Sequence, residues 1–261
     1  MNEKIFFAHA NGFPAEVYGE LFEQLSNLDI DYIPMLAHGK YSIKSSWKDI
    51  VPEIIEYFEA NYSEPVWAIG HSFGAMCLAF AAEQRPDLFK GLIMMDPPVL
   101  SRKIRWMLAI TQWLNISQKF MPLAKKSAKR SDHFPSREFV AGKLRNKLLF
   151  KNFSAASYSN YIQNGFKDVE NGIELRFKKE VETKIFALTP PFYSRVKLKI
   201  PSYYLYATHG DIADTRPIES IKHLFPNTKF ITFEGSHLFP LEQAKKCGNN
   251  IVAVLNNKGL I

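Results

Sequence analysis

Six short apolar runs divide this chain and constrain its fold more than any other feature: Lys4–Ala8, Tyr32–Leu36, Val66–Ile69, Gly91–Met95, Tyr203–Ala207 and Lys229–Phe233. They are rich in Ile, Val, Phe and Tyr and lack clean polar alternation, as strands buried on both faces do. Helical spacing fills the gaps. After Ser46, apolar side chains recur at Trp47, Ile50, Val51, Ile54, Ile55 and Phe58, one face of a helix. Ser46 and Asp49 have the spacing of a capping box, and Pro52 argues that the regular helix begins later. The segment Phe73–Gln84 is apolar almost all round, which predicts a buried helix ending before Arg85-Pro86. Short strands alternating with helices predict an α/β fold with a mostly parallel central sheet flanked by helices.

The alternation breaks between residues 101 and 199. That stretch reads as several helices and one hairpin, Phe166–Phe177, turning at Asn171-Gly172. The expected organisation is therefore a core from 1–100 and 200–261, with an inserted, mainly helical cap over 101–199. A chain of 261 residues can bury a core of this kind. No apolar run approaches the roughly 18 residues that would span a bilayer, and the first residues are too short an apolar run for a signal-peptide core. Two cysteines, Cys77 and Cys247, make neither a disulfide framework nor a zinc site. The expected compartment is the cytoplasm.

The sharpest chemical signal is Gly70-His71-Ser72-Phe73-Gly74, a G-x-S-x-G between an apolar strand and a buried helix. Serine at so tight a turn is pushed into a strained backbone conformation that exposes its hydroxyl above the sheet edge. The flanking glycines are required where the strand and helix backbones crowd together. The helix N-terminus also favours developing negative charge. The bland alternative is a glycine-rich turn with an incidental serine.

A serine hydroxyl needs a base. Of seven histidines, His237 lies in Glu234–Pro240, the loop after the last strand, where parallel-sheet proteins build their sites. His71 reads as packing. The histidine in turn needs a carboxylate. Asp211 comes soonest after its strand and is the expected acid, with Asp214 and Asp96 as the alternatives. Two N–H donors must hold the oxyanion. Phe73 supplies one, and the loop His9-Ala10-Asn11-Gly12-Phe13-Pro14 supplies the other from Asn11 or Phe13.

With these residues the chain resembles the α/β-hydrolase family over most of 1–98 and 201–261. The resemblance implies an eight-stranded sheet, a helical cap after the sixth strand, and a Ser-Asp-His triad. His9–Phe13 looks like the family's His-Gly oxyanion loop, lengthened here. Because the first strand already leads into that loop, the expected sheet lacks the family's usual first two strands and presents an edge to be managed.

Other chemistries find no support. There is no H-E-x-x-H, paired C-x-x-C or H-x-H, and neither a Walker loop nor a G-x-G-x-x-G, so neither metal nor cofactor is expected. Epoxide hydrolases and dehalogenases of this fold use a carboxylate nucleophile; serine would leave an unreactive ether. The expected activity is a serine hydrolase acting on a small to medium carboxylic ester. A thioesterase or acyltransferase with the same triad is the alternative, and a noncatalytic binding protein the competitor from another class.

The net charge of +7 is unevenly placed. Between Arg102 and Lys151 thirteen basic residues face only Asp132 and Glu138, so the remainder is slightly acidic. The same segment holds Trp106, Met107, Leu108, Ile110, Trp113, Leu114, Phe120 and Met121. It reads as a basic amphipathic lid, apolar toward Ser72 and cationic toward anionic lipid or an acidic acyl carrier. The bland version is a solvated cap whose apolar side packs on the core. No reader motif for nucleic acid accompanies the charge.

Overall fold

The computed structural model describes residues 3–191, 195–209 and 218–256. Its strands are β1 (Lys4–Ala8), β2 (Asp29–Tyr32), β3 (Val66–His71), β4 (Phe89–Met95), β5 (His133–Phe134), β6 (Phe166–Val169), β7 (Gly172–Leu175), β8 (Ser202–Ala207) and β9 (Lys229–Phe233). The helices are α1 (Gly19–Glu23), α2 (Val51–Asn61), α3 (Phe73–Gln84), α4 (Arg102–Trp113), α5 (Ser117–Phe120), α6 (Pro122–Ala128), α7 (Arg137–Arg145), α8 (Ala155–Asn164), α9 (Lys179–Ala187), α10 (Ile218–Leu224), α11 (Phe239–Glu242) and α12 (Ala244–Asn256).

Six strands form one sheet in the order β2-β1-β3-β4-β8-β9, every described pairing parallel. Alternate residues of the central strands feed two separate cores. Ile5, Phe7, Trp67, Ile69, Ile93 and Met95 face one; Phe6, Ala8, Val66, Ala68, Leu92 and Met94 face the other. Both faces are covered, which is why these strands read as continuous apolar runs. The register sets Ala8 beside Gly70, His71 beside Met95 and Met95 beside Leu205. The carboxyl ends of β1, β3, β4 and β8 therefore lie along one edge.

One strand sits three residues earlier than its expected position. The second strand is Asp29–Tyr32, and residues 33–36 form a loop: the Pro34 carbonyl accepts from Ala15 N–H, and Leu36 N–H donates to His9 Nε2. Proline cannot donate to a ladder, and Asp29-Ile30-Asp31-Tyr32 is the alternating pattern of an edge. Two aspartates on a four-residue strand keep this edge from pairing onward, and Asp31 also accepts from Tyr57 and Tyr62. Ser46 and Asp49 do form a capping box, opening a 3₁₀ turn over Trp47–Ile50. The α-helix follows at Val51, with Pro52 in its first turn where the missing N–H costs nothing.

Between β4 and β8 the chain leaves the sheet. Helices α4–α9 and a separate antiparallel sheet, β5-β7-β6, occupy this stretch. The hairpin turns at Glu170-Asn171, one residue before the expected position, with Gly172 opening β7. Gly172 has φ +126, and a Cβ there would meet the Phe134 carbonyl oxygen at 2.2 Å. It is glycine so that β5 can approach.

Candidate active site

Strand β3 ends at His71 and α3 begins at Phe73, so Ser72 makes the whole turn, at φ 53 and ψ −116. For a residue with a Cβ this is strained backbone. It is held by Ser72 N–H donating to Met95 O at 2.9 Å and by the crowding around it. A Cβ on Gly70 would meet Ala75 Cα at 2.5 Å, and one on Gly74 would meet the carbonyl oxygens of Ala8 and His9 at 2.5 Å. The two glycines thus let α3 lie against β3 and against the end of β1. The second contact brings the His9–Phe13 loop beside the first turn of α3.

The Ser72 hydroxyl donates to His237 Nε2 at 2.9 Å. Across the ring, His237 Nδ1–H donates to Asp96 Oδ2 at 2.5 Å. This fixes the tautomer: the proton sits on Nδ1 and the lone pair on Nε2 faces the serine. Asp96 follows β4 directly, is fully buried and adopts φ 52. Backbone holds it on both sides, with Asp96 N–H on Leu205 O at 2.8 Å and Ala207 N–H on Asp96 Oδ1 at 3.1 Å. Ser72 is 9% exposed, so the group is covered yet reachable.

His71 works from behind. Its Nε2–H donates to the His237 carbonyl at 2.8 Å, and its Nδ1 accepts from the Tyr18 hydroxyl at 2.6 Å. Tyr18 accepts in turn from Ala10 N–H at 3.2 Å. One chain of hydrogen bonds therefore joins the His9–Phe13 loop to the backbone of His237. Burial, reinforced by the nearby His237, pushes the His71 pKa down to about 3, so the ring stays neutral.

In the first loop, His9 donates from Nδ1 to Ala10 O and accepts Leu36 N–H at Nε2, each at 2.8 Å. Burial lowers its pKa to about 4. It braces the loop and has no proton to offer a substrate. Asn11 Nδ2 donates to Glu182 O at 3.1 Å. Phe13 N–H turns back onto Ala10 O at 3.3 Å, and its ring packs on Phe153 and Tyr161. Asn11 N–H makes no hydrogen bond among the described residues. Phe73, as the first residue of α3, carries an N–H that the helix does not use. Glu182 is buried against Gly12 and pairs with Arg130 at 2.5 Å, while Arg130 also donates to Tyr161 at 3.1 Å.

The α/β hydrolase fold family matches residues 38–244. The chain belongs to that family. It is similar to the monoglyceride lipase of Rattus norvegicus, 29% identical over 107 residues, which are 37% of this chain and 35% of the rat protein. A type I acyl-CoA thioesterase of Penicillium brevicompactum is 32% identical over 107 residues, 34% of this chain and 25% of that protein. The similarity thus spans about a third or less of these curated relatives. Among solved structures, E-2-(acetamidomethylene)succinate hydrolase matches with a TM-score of 0.75 at 16% identity, covering 98% of this chain and 91% of that one. A peroxisomal α/β-hydrolase of Saccharomyces cerevisiae matches at 0.73 and 14%, covering 100% and 78%. At such identities the likeness is one of fold.

Within this α/β-hydrolase, Ser72 and His237 come together as the spacing predicts. Of the three sequence candidates, Asp96 is the carboxylate that the described residues place on His237. Asp211 and Asp214 lie outside the described residues. The preference for Asp211 rested on distance along the chain. Asp96 arrives through space, because β4 lies directly beside β3. Tyr18, Arg130 and Glu182 carry no local motif; only packing places them at the loop.

Proposed function

We propose that this protein is a serine hydrolase cleaving small to medium carboxylic esters through an acyl-enzyme. One observation carries the reading: Ser72 Oγ, both His237 nitrogens and Asp96 Oδ2 are linked at 2.9 and 2.5 Å. His237 Nε2 takes the Ser72 proton as Oγ bonds the ester carbon, and Asp96 stabilises the imidazolium that forms. The N–H groups of Phe73 and Asn11 receive the oxyanion. His237 then protonates the departing alkoxide, and water repeats the sequence to free the acid and regenerate Ser72. Cys77 and Cys247 are buried free thiols, in keeping with a reducing cytoplasm.

A second reading is supported by the thioesterase relative: the same groups would cleave an acyl thioester, whose thiolate leaves with less help from His237. Fluorophosphonate labelling, followed by matched panels of p-nitrophenyl esters and acyl-CoAs, tests both. Wild type is expected to label and Ser72→Ala to lose labelling and turnover with an unchanged melting temperature. A wild-type protein that never labels points to a noncatalytic binding protein; faster acyl-CoA turnover selects the thioesterase.

A further inference from the structure

On α4 the buried side is Leu108 and Thr111. Ile110 and Trp113 on the far side, and Met107 and Leu114 flanking the buried one, are exposed to solvent, with Trp113 81% exposed. Phe120 on α5 and Leu123 on α6 extend the same kind of surface, 60% and 49% exposed. Single exposed apolar residues are ordinary, but a helical stripe of them continued on two adjoining helices is not. These apolar side chains are exposed together with the cations, whereas Leu108 of the same run is buried.

The cations are specific in number and sign. Arg102, Lys103, Lys119, Lys125, Lys126 and Lys129 are all exposed, and no acidic residue occurs between 102 and 131. Among the described residues none of the six pairs with a carboxylate; of the two other basic residues in this stretch, Arg105 is half-buried and Arg130 is committed to Glu182. Tryptophan, phenylalanine and leucine side chains projecting among unpaired lysines fit the boundary of an anionic bilayer, where rings enter the headgroup layer and ammonium groups meet phosphates. An acidic protein or a nucleic acid would use the charges and leave Trp113 and Phe120 in water. At twelve residues, α4 is too short to cross a bilayer, and no helix among the described residues is long and apolar enough to do so. The contact is interfacial.

We propose that α4–α6 form a docking surface for an anionic lipid membrane. The chain leaves the carboxyl end of β4 at Asp96 and enters α4 six residues later, so the surface belongs to the side of the sheet that carries Ser72. Docking does not depend on turnover at Ser72, and Ser72→Ala is expected to bind vesicles as wild type does.

The test is cosedimentation of the full chain with phosphatidylcholine vesicles with and without phosphatidylserine. Binding is expected only with phosphatidylserine, falling steeply as salt shortens the Debye length below about 8 Å. Lys125→Glu, Lys126→Glu and Lys129→Glu together should weaken it roughly tenfold or more. Trp113→Ala with Phe120→Ala should weaken it at every salt concentration. Both variants should keep wild-type fluorophosphonate labelling, showing that they fold. No association with phosphatidylserine vesicles at low salt, or association that ignores loss of Trp113 and Phe120, overturns the proposal. So does capture of acidic acyl carrier protein by a chain that binds no vesicle.

Discussion

The sheet-bearing part and the inserted stretch treat apolar surface in opposite ways. In the first, the central strand β3 and helix α3 are buried almost completely, and most charged side chains lie outside them. In the second, the exposed large hydrophobic residues run from Trp106 to Leu149, on a background of thirteen basic residues and two acidic ones over 102–151. A region that hides its apolar groups is stabilised by them. A region that displays them beside unpaired cations is shaped for something outside itself. The two parts are nonetheless locked together: Glu16 pairs with Arg176 at 2.9 Å, and Glu20 accepts from Ser157 at 2.7 Å.

The largest expected effect breaks the sheet-borne site. Asp96→Asn should lower kcat by about 10⁴, since an amide there favours the wrong tautomer of His237. Asp211→Asn should leave most activity. The reverse pattern in steady-state ester hydrolysis would move the acid to the loop after β8.

Next comes the contrast within α4 itself. Leu108 is fully buried, and Leu108→Ala should cost about 2–4 kcal/mol in denaturant unfolding. Trp113→Ser should change stability by no more than about 0.5 kcal/mol despite removing a far larger side chain. Equal losses at the two positions would mean that the outer face is packed in solution, and the comparison above would fall.

A smaller effect separates the regions by pH. His71 and His9 stay neutral in the folded protein to about 3 and about 4, because both are buried. In the unfolded chain they protonate below about 6.5. The unfolded state therefore binds more protons, so this stability is complete above about 6.5 and is lost as pH falls toward 4 and 3. Glu53, pushed up to about 7 by burial, acts with the opposite sign over part of that range. The comparison is thus made between variants: His71→Gln should recover about 1 kcal/mol of the loss between pH 7.5 and 5.5. An unchanged difference would mean that His71 titrates normally and does not hold the His237 carbonyl as a neutral donor.

The smallest effect concerns the chain of hydrogen bonds between the loops. Tyr18→Phe should cost about 1 kcal/mol of stability. If Tyr18 positions His237 through His71, kcat should also fall several-fold at unchanged KM, with a shifted acid limb in the pH profile. A loss of stability with kcat and the profile intact would leave Tyr18 a packing residue.

The sequence by itself determined what depends on neighbours along the chain. Backbone sterics at Gly70-x-Ser72-x-Gly74, the capping box at Ser46, and apolar runs too short and too continuous for anything but two-sided strands are local properties. Five of the six sheet strands, the extent of α3 and the pairing of Ser72 with His237 were legible from them. The strand at Asp29 was missed because an edge needs only half a face of apolar residues, and Pro34 ended what looked like a run. Asp96 is a different kind of case. Its role depends on β4 lying next to β3, and strand order is set by how the two cores close over the sheet. Tyr18, Glu182 and Arg130 reach the loop from distant segments for the same reason. Which side of α4 faces water was decided by tertiary packing too: periodicity shows that a helix has an apolar stripe, but only the surrounding structure decides whether anything covers it.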